Sequence, residues 1–300
     1  MPAHRSPSTF VISLTPFTGD GILDEDGLRR HLRRLRDAGI GVYLGGSGSG
    51  EGYTLLPGEV ARVLEIGAEE LGGRVPARAM GVEPRTSAQM IELARLAQAA
   101  GLDGTQIYSL DVGHGNRPRP AELERYFSDV LDAVDFPAVV SSHFAAGYFV
   151  PVDVLGRLLD RFGHLVGVNC TNPDVTYLVR VLEVVGGRAD VHVGGPMQAL
   201  TCLALGGQGF LSSEGNLAPA LCVEVIERWA AGDLAGCASS FAAVLRLFTA
   251  TQEAGGIAAA KAALDRLGLP GGYPRLPRLP ASGPALDVLV EVARSIGLVS

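Results

Sequence analysis

The sequence alternates between short apolar runs and longer amphipathic segments, and no other feature constrains the fold as strongly. The short runs are rich in Val, Ile and Leu, which is typical of strands buried in a parallel sheet. The longer segments repeat apolar residues at helical spacing; Asp26–Ala38 places Leu28, Leu32 and Leu35 on one face. Eight such units predict an α/β fold, a (β/α)₈ TIM barrel. The predicted strands are Phe10–Leu14, Gly41–Leu44, Ala77–Gly81, Thr105–Tyr108, Ala138–Ser142, Leu165–Asn169, Val191–Val193 and Gly209–Leu211.

The chain continues for roughly eighty residues after the last of these units. We therefore predict a barrel over residues 1–218 and a C-terminal helical extension over residues 219–300, packed together as one structural unit. The extension is predicted to contain four helices and a proline-rich linker. The helices are Pro219–Gly232, Asp233–Ala254, Ile257–Leu267 and Pro284–Ile296, with the linker at Pro270–Pro284.

Charge and composition exclude several classes of partner. The net charge is −7, whereas a nucleic-acid-binding protein needs a basic face. No cluster of Lys and Arg suggests a membrane surface, and no apolar stretch approaches the roughly 18 uninterrupted residues of a transmembrane helix. The N-terminus lacks the apolar core of a secretory signal, and the four cysteines form no CxxC pair. We expect a cytoplasmic protein with reduced thiols.

The active site of such a barrel is expected at the carboxyl ends of the strands. Five glycines cluster after the second predicted strand, within Gly45–Gly52, where backbone N–H groups could bind an anion. Ser141 and His143 end the fifth strand, and Asn169 ends the sixth. We predict Ser141, His143 and Asn169 as the catalytic residues.

The chemistry of these residues has several interpretations. His143 could act as a general base, or it could join Asn169 as a hydrogen-bond donor to an oxyanion. Together with His114 and a carboxylate it could also hold a divalent metal, but the order of these residues matches no fixed ligand spacing. We therefore predict no metal ligands and no cofactor. Cys170 is expected to be buried and inert, and His192 to be structural.

Several motifs, taken in order, resemble one known family. The opening Leu14-Thr15-Pro16-Phe17 and the later Gly50-Glu51-Gly52-Tyr53-Thr54-Leu55 are similar to the first third of the dihydrodipicolinate synthase/N-acetylneuraminate lyase family. Further matches cover nearly the whole chain. They are Asn116-Arg117-Pro118, Leu205-Gly206-Gly207-Gln208-Gly209, Asn216 and Ala260-Lys261-Ala262-Ala263-Leu264.

The resemblance implies an imine mechanism that this sequence does not support. Members of the family bind the keto carbon of a 2-oxo acid through a lysine in a Gly-Ile-Lys pattern on strand six. The matching segment here is Gly167-Val168-Asn169, and asparagine cannot form an imine. The only lysine in the sequence, Lys261, matches a helix outside the barrel. The family's strand-five tyrosine falls at about Ser141, and its carboxylate-binding arginine near Ala146.

The part of the family's site that does match is the one that binds the substrate carboxylate. Two adjacent hydroxyl residues before Gly-Glu fill this role in the family, and Gly48 and Ser49 are the corresponding positions here. Thr15 and Asn216 match positions that face the same opening. The resemblance therefore implies that Gly48, Ser49, Thr15 and Asn216 bind a small carboxylate.

These observations predict an aldolase-type lyase that acts on a small 2-oxo or related carboxylic acid without a lysine imine. The alternative is a non-catalytic barrel derived from that family, which serves as a carboxylate-binding or regulatory protein. A divalent metal that stabilises the enolate is a second route to the same reaction. Family members commonly form tetramers, so we expect a homo-oligomer, either a dimer or a homotetramer.

Overall fold

The computed structural model describes residues 6–298, and over this range eight parallel strands pair in chain order and close into a barrel. This confirms the predicted (β/α)₈ architecture. The strands are β1 (Ser8–Ile12), β2 (Gly41–Leu44), β3 (Ala77–Met80), β4 (Gly104–Ile107), β5 (Ala138–His143), β6 (Leu165–Thr171), β7 (Asp190–Gly194) and β8 (Gly209–Leu211).

Helices follow the strands, and the last four form the predicted C-terminal extension. The helices are α1 (Glu25–Asp37), α2 (Pro57–Leu71), α3 (Ser87–Ala100), α4 (Pro120–Ala133), α5 (Val152–Arg161), α6 (Val175–Val185), α7 (Ala199–Ala204), α8 (Pro219–Ala230), α9 (Leu234–Glu253), α10 (Ile257–Arg266) and α11 (Pro284–Ser295). Most predicted boundaries agree within two residues. The sixth strand differs in a way that matters, because β6 continues past Asn169 to Thr171.

The chain divides into two compact units. The first comprises residues 6–8 and Arg78–Leu211, and the second comprises Thr9–Ala77 and residues 212–298. The predicted boundary between barrel and extension, at residues 218 and 219, falls inside the second unit and stays a prediction.

In the first unit, β4 to β8 form a continuous parallel ladder, with Thr105 opposite Ala138 and His192 opposite Gly209. Their apolar side chains are buried almost completely; Val140, Val168 and Phe210 have no exposed surface. This burial on both faces is the expected consequence of a parallel sheet covered by helices, and it explains the continuous apolar runs in the sequence.

In the second unit, the ends of α1 illustrate how the sequence sets helix boundaries. The Asp24 carboxylate accepts from the Gly27 N–H at 2.8 Å and caps the first turn. Gly39, at φ +76°, follows the last turn in the left-handed conformation that glycine adopts without steric cost. The extension is held by an apolar cluster in which Leu247, Leu264 and Leu289, from α9, α10 and α11, are completely buried.

Helix α9 is the one described helix that is long and apolar enough to span a bilayer, with a mean hydropathy of 1.4 over its best window. About two fifths of that window, 39%, is buried inside the protein. The helix packs against α8, α10 and α11, so its length and hydropathy are weak evidence for a membrane.

Candidate active site

The polar side chains of strand β5, in the first unit, point to two opposite faces of the sheet. The Ser142 hydroxyl contacts the Tyr177 hydroxyl at 2.7 Å and accepts from the Val150 N–H at 3.1 Å, so Ser142 points toward helix α6. Successive side chains of a strand point to opposite faces. Ser141 and His143, two of the predicted catalytic residues, therefore point to the interior face of the sheet.

Asn169 is brought to that interior face by an irregularity in β6. The β5–β6 register shifts between Ala138 and Val139, where β6 has one extra residue, and Asn169 then lies opposite Ser141. A one-residue shift exchanges the two faces of a strand, so the shift decides which way Asn169 points. The contact of Asn169 with Gln106 of β4 is consistent with this orientation.

The Asn169 amide is buried and only partly satisfied. Its Nδ2 group donates to Oε1 of Gln106 at 3.1 Å, while its Oδ1 atom is buried without a hydrogen-bond partner. An unpaired buried acceptor costs about 1–3 kcal/mol, and such groups are rare in folded proteins. Asn169 is thus an uncharged amide whose oxygen is free to accept a hydrogen bond.

The contacts of His143 define the role of its ring. Nδ1 of His143 accepts from the Ala145 N–H at 3.1 Å, so in the neutral ring the proton resides on Nε2. Burial lowers the pKa of His143, opposed by the carboxylate of Glu83, and this keeps the ring neutral at pH 7. His143 consequently presents a hydrogen-bond donor from Nε2, which favours the oxyanion interpretation over that of a general base.

Aromatic rings surround His143. Phe144 stacks on it with an interplanar angle of 8° and a centroid distance of 5.4 Å, and Tyr108 lies at 5.8 Å. Ser109 accepts from the His143 N–H and donates to the Ser141 carbonyl oxygen, both at 3.2 Å. The backbone that carries the two predicted residues is therefore tied to the chain that follows β4. A catalytic role for the Ser141 hydroxyl stays a prediction.

In the second unit, the glycine-rich segment forms two short 3₁₀ turns, Gly48–Gly50 and Gly52–Thr54. Gly48 has φ +76°, and a Cβ atom on Gly52 would lie 2.1 Å from the Gly45 carbonyl oxygen. Only glycine fits at Gly52. Glu51 lies between the two turns with φ +48°, an uncommon conformation for a residue with a side chain. We call Gly48–Thr54 the glycine loop.

Thr15 and Ser49 have different places relative to this loop. The Thr15 hydroxyl donates to the Gly50 carbonyl oxygen at 2.8 Å, so Thr15 supports the loop from the end of β1. Ser49 is buried within the loop, 5% exposed, and lines a cavity together with Gly48. The assignment of Gly48, Ser49 and Thr15 as carboxylate-binding residues stays a prediction.

Both polar atoms of the Asn216 side chain form hydrogen bonds within the protein. Its Oδ1 atom accepts from the Leu14 N–H and from Nε2 of His31, each at 2.9 Å. Its Nδ2 group donates to the carbonyl oxygens of Ile12 and Ser213 at 2.8 and 3.0 Å. All of these contacts support the backbone around β1 and β8, and substrate binding by Asn216 stays a prediction.

A cavity of about 240 Å³ beside the glycine loop contains residues that sequence reasoning did not single out. Glu214, just after β8, accepts from the hydroxyls of Ser212 and Ser213, and burial raises the pKa of its carboxyl group. Thr251 of α9 lines the cavity with a hydroxyl that has no hydrogen-bond partner, and Arg278 adds a guanidinium. Glu214 could have been found from its place after a strand, whereas Thr251 and Arg278 carry no motif.

The other residues considered from sequence are accounted for individually. Burial raises the pKa of the Cys170 thiol to about 12, so it is not a thiolate at neutral pH. His192 is buried, bonds to the Ser8 hydroxyl at 2.8 Å, and has its pKa lowered by burial to about 4. His114 lies in a loop with φ +52°. Among residues 6–298, no group of three or more His, Cys, Asp or Glu side chains is arranged to hold a metal ion.

Comparison with known proteins identifies the family. The dihydrodipicolinate synthetase family matches residues 6–295. The 4-hydroxy-tetrahydrodipicolinate synthase of Methanopyrus kandleri is 30% identical over 288 residues, which covers 95% of this chain and 94% of that protein. The corresponding synthase of Methylobacterium radiotolerans is 29% identical and covers 99% and 98% of the two chains.

Solved structures agree with this assignment. A family member from Escherichia coli K12, a prophage protein in complex with pyruvate, superposes with a TM-score of 0.88 at 27% identity, covering 98% of this chain and 99% of that one. The dihydrodipicolinate synthase of Thermotoga maritima has the same fold, with a TM-score of 0.89 at 23% identity and coverage of 99% and 100%. The chain therefore belongs to the dihydrodipicolinate synthetase family of aldolase-type lyases.

Proposed function

We propose that this protein is a lyase that acts on a small 2-oxo or related carboxylic acid and stabilises the enolate with hydrogen-bond donors instead of a lysine imine. The observation that carries the proposal is the side chain at the catalytic position of β6, which is the amide of Asn169. The resemblance to the family places the imine-forming lysine there.

Lys261 is a poor substitute for the missing amine. It is completely buried in α10, and its Nζ atom donates to a carboxylate and to two carbonyl oxygens in the second unit. A nucleophilic amine needs a free lone pair and access to the substrate. The three acceptors hold Lys261 as a donor instead.

Support for a carboxylate substrate comes from the relatives and from the second unit. The relative from Escherichia coli was solved with pyruvate, the simplest 2-oxo acid. The cavity of about 240 Å³ beside Gly48 and Ser49 includes the positive charge of Arg278. Glycine-rich turns and guanidinium groups are both common carboxylate-binding elements.

The proposed chemistry uses one intermediate. Three reactions of a 2-oxo acid pass an electron pair onto the keto oxygen and form an enolate, which is then protonated at C3. They are retro-aldol cleavage of a 4-hydroxy-2-oxo acid, addition of water to a conjugated 3,4-double bond, and loss of a carboxylate group attached to C3. A donor placed on that oxygen is worth about 10²–10³ in rate in other enzymes. We assign this role to Nε2 of His143 and to the second N–H of the Asn169 amide, whose first N–H donates to Gln106. Both residues lie on the interior face of β5 and β6. The mechanism needs no cofactor, and we propose that the enzyme acts as a homo-oligomer.

Trapping with borohydride tests the absence of an imine. Wild-type protein is incubated with pyruvate and sodium borohydride, and its intact mass is measured. Asn169→Lys serves as the matched positive control, because it restores an amine at the catalytic position. We expect no adduct on the wild type and an adduct on the Asn169→Lys variant. A wild-type adduct that disappears in Lys261→Arg would overturn the proposal.

Turnover then separates the enzyme from the non-catalytic alternative. Small 2-oxo and hydroxy acids are screened for binding by thermal unfolding, each with EDTA and with added Mg²⁺, Mn²⁺ or Zn²⁺, and acids that bind are assayed for product. A ligand at about 100 times its Kd stabilises the folded protein by about 2.7 kcal/mol. Metal-independent turnover supports the proposed donors, and metal-dependent turnover assigns the enolate to a metal. Binding without turnover indicates a regulatory barrel.

A further inference from the structure

Lys261 connects three segments of the second unit. Its Nζ atom donates to Oε2 of Glu51 in the glycine loop at 2.6 Å, to the Thr15 carbonyl oxygen after β1 at 2.7 Å, and to the Tyr273 carbonyl oxygen at 2.9 Å. The lysine is completely buried and Glu51 is 1% exposed. A buried ion pair of this kind holds its geometry only when its remaining donors are satisfied, as they are here.

The contacts form a closed ring through the glycine loop. Lys261 binds both Glu51 and Thr15, the Thr15 hydroxyl donates to the Gly50 carbonyl oxygen, and the Glu51 N–H donates to the Gly48 carbonyl oxygen at 3.1 Å. Glu51 is also held in a left-handed backbone conformation, which costs about 1–2 kcal/mol for a residue with a side chain. The ion pair with Lys261 opposes that cost and keeps the loop in this shape.

The presence of lysine rather than arginine at position 261 has a geometric reason. Lysine and arginine total 25, and Lys261 is the only lysine. An ammonium group directs three N–H bonds from one atom, whereas the arginine fork is planar and spreads its donors over three nitrogens. Three acceptors that converge on one buried point therefore require lysine, even in a chain that otherwise uses arginine.

We propose that Lys261 is a positioning residue that holds the glycine loop, and with it Gly48 and Ser49, in the conformation that binds the substrate carboxylate. This inference rests on the proposed function for the ligand, but the positioning of the loop can be measured without one. Lys261 does not touch the substrate in this role. It acts through Glu51 and Thr15.

The closed ring of contacts through the glycine loop should depend on the protonation of Lys261. Burial lowers the pKa of Lys261 to about 8, opposed by Glu51 and Asp265 and assisted by Arg278. The other charged or titratable groups nearby are His31, which is neutral, and Arg275, whose N–H also points at Glu51 at 3.4 Å. Above pH 8 the ammonium loses its proton, the pair with Glu51 weakens and the loop should loosen.

As the pH rises, the free energy of global unfolding and the protection of the loop should change in opposite directions. A lysine whose folded pKa is below its unfolded value favours deprotonation in the folded state. Its contribution to stability therefore rises between pH 8 and 10.5, while the loop loosens in the same range. The rise in stability follows from the lowered pKa alone, so the loss of loop protection is the observation that a positioning role predicts.

The sole lysine makes the test direct. Labelling with ¹⁵N-lysine should give one slowly exchanging Nζ resonance that titrates near pH 8. We define the protection factor of a loop amide, residues 45–54, as the intrinsic exchange rate at the same pH divided by the measured rate. These protection factors should fall at least tenfold in Lys261→Arg at pH 7, and at least tenfold in the wild type between pH 7 and 9.5. Arg266→Met is the matched control, because Arg266 lies on α10 like Lys261 but forms an exposed pair with Asp287 of α11. This variant should leave loop protection unchanged.

Pyruvate binding completes the test. Isothermal titration calorimetry with sodium pyruvate should give a Kd at least tenfold higher for Lys261→Arg than for wild type. If the wild type binds neither pyruvate nor any other acid of the thermal-unfolding screen, the proposed function fails, while the exchange data still decide the role of Lys261. An Nζ resonance that exchanges rapidly and titrates near 10.5, or unchanged loop protection in Lys261→Arg, would overturn the inference.

Discussion

Strand β6 in the first unit and helix α10 in the second place their critical polar groups in opposite ways. Asn169 is an uncharged amide that is buried with an unpaired oxygen, and Lys261 is a charged amine that is buried with three acceptors. A neutral group tolerates incomplete hydrogen bonding at a cost of about 1–3 kcal/mol, whereas an unpaired buried charge costs far more. The Asn169 oxygen is therefore free to accept a further hydrogen bond, whereas all three donors of Lys261 are used within the protein.

The largest expected effect comes from removing the charge in α10. Lys261→Met leaves the Glu51 carboxylate buried without its partner, and we expect a loss of about 3–5 kcal/mol in the free energy of unfolding, measured by urea denaturation. The double variant Lys261→Met/Glu51→Gln removes both charges and should recover more than half of that loss. Equal instability of the single and double variants would show that shape, not charge, holds this region together.

A smaller effect, on rate alone, is expected in the first unit. His143→Ala removes the Nε2 donor and should lower kcat/KM by about 10²–10³. His143→Gln retains an N–H donor on a side chain of similar length and should stay within about tenfold of the wild type. Both variants should unfold at nearly the same urea concentration as the wild type, since His143 is only partly buried.

If the glutamine variant is as inactive as the alanine variant, the donor assignment for His143 is wrong. A pH–rate profile that loses an acidic or basic limb in His143→Gln would instead indicate proton transfer by the ring. Either result would show that His143 in the first unit does not act as a hydrogen-bond donor to the substrate.

The smallest expected effect is a loss of stability in acid that comes from the buried His31. Burial and the charge of Arg34 lower the pKa of His31 to about 3. Because the folded pKa is below the unfolded value, the stabilisation is complete above pH 6.5 and declines as the pH falls toward 3. We expect about 1.4 kcal/mol of loss for each pH unit below 6.5 from this residue.

Urea denaturation at pH 7, 6 and 5 measures this acid limb. His31→Gln retains a donor toward Asn216 and cannot be protonated in this range, so its stability should fall less steeply with acid than that of the wild type. Parallel curves for the two proteins would exclude His31 as the source of the acid sensitivity.

The fold was predictable because local periodicity carries it. The alternation of apolar runs and amphipathic segments predicted all eight strands and the C-terminal helices, and the predicted strand at Gly41–Leu44 matches β2 residue for residue. Strand ends were less predictable: β6 runs two residues past its predicted end, because its last residues pair with β5 and β7. Such pairing depends on neighbouring strands and is absent from the local pattern.

The candidate site was selected from the sequence only in part, and the roles of its residues stay predictions. Position after a strand was enough to select Ser141 and His143, and the resemblance to the family selected Gly48 and Ser49. Arg278 and Thr251 were missed because they reach their cavity from the C-terminal extension, which carries no sequence motif for it. Asn216 was selected by the same resemblance, yet its amide is fully engaged by backbone and by His31.

The sequence by itself determined the barrel, the family resemblance and the absence of a lysine from the sixth strand, because each depends on residue identity and local spacing. The tertiary structure decided the rest. It set the direction of Asn169 through a register shift in β6 and the tautomer of His143 through one backbone N–H. It also brought three acceptors from distant parts of the chain to the ammonium group of Lys261. These properties depend on which groups meet in space, and hydrogen bonding between residues up to 246 positions apart leaves no local pattern to read.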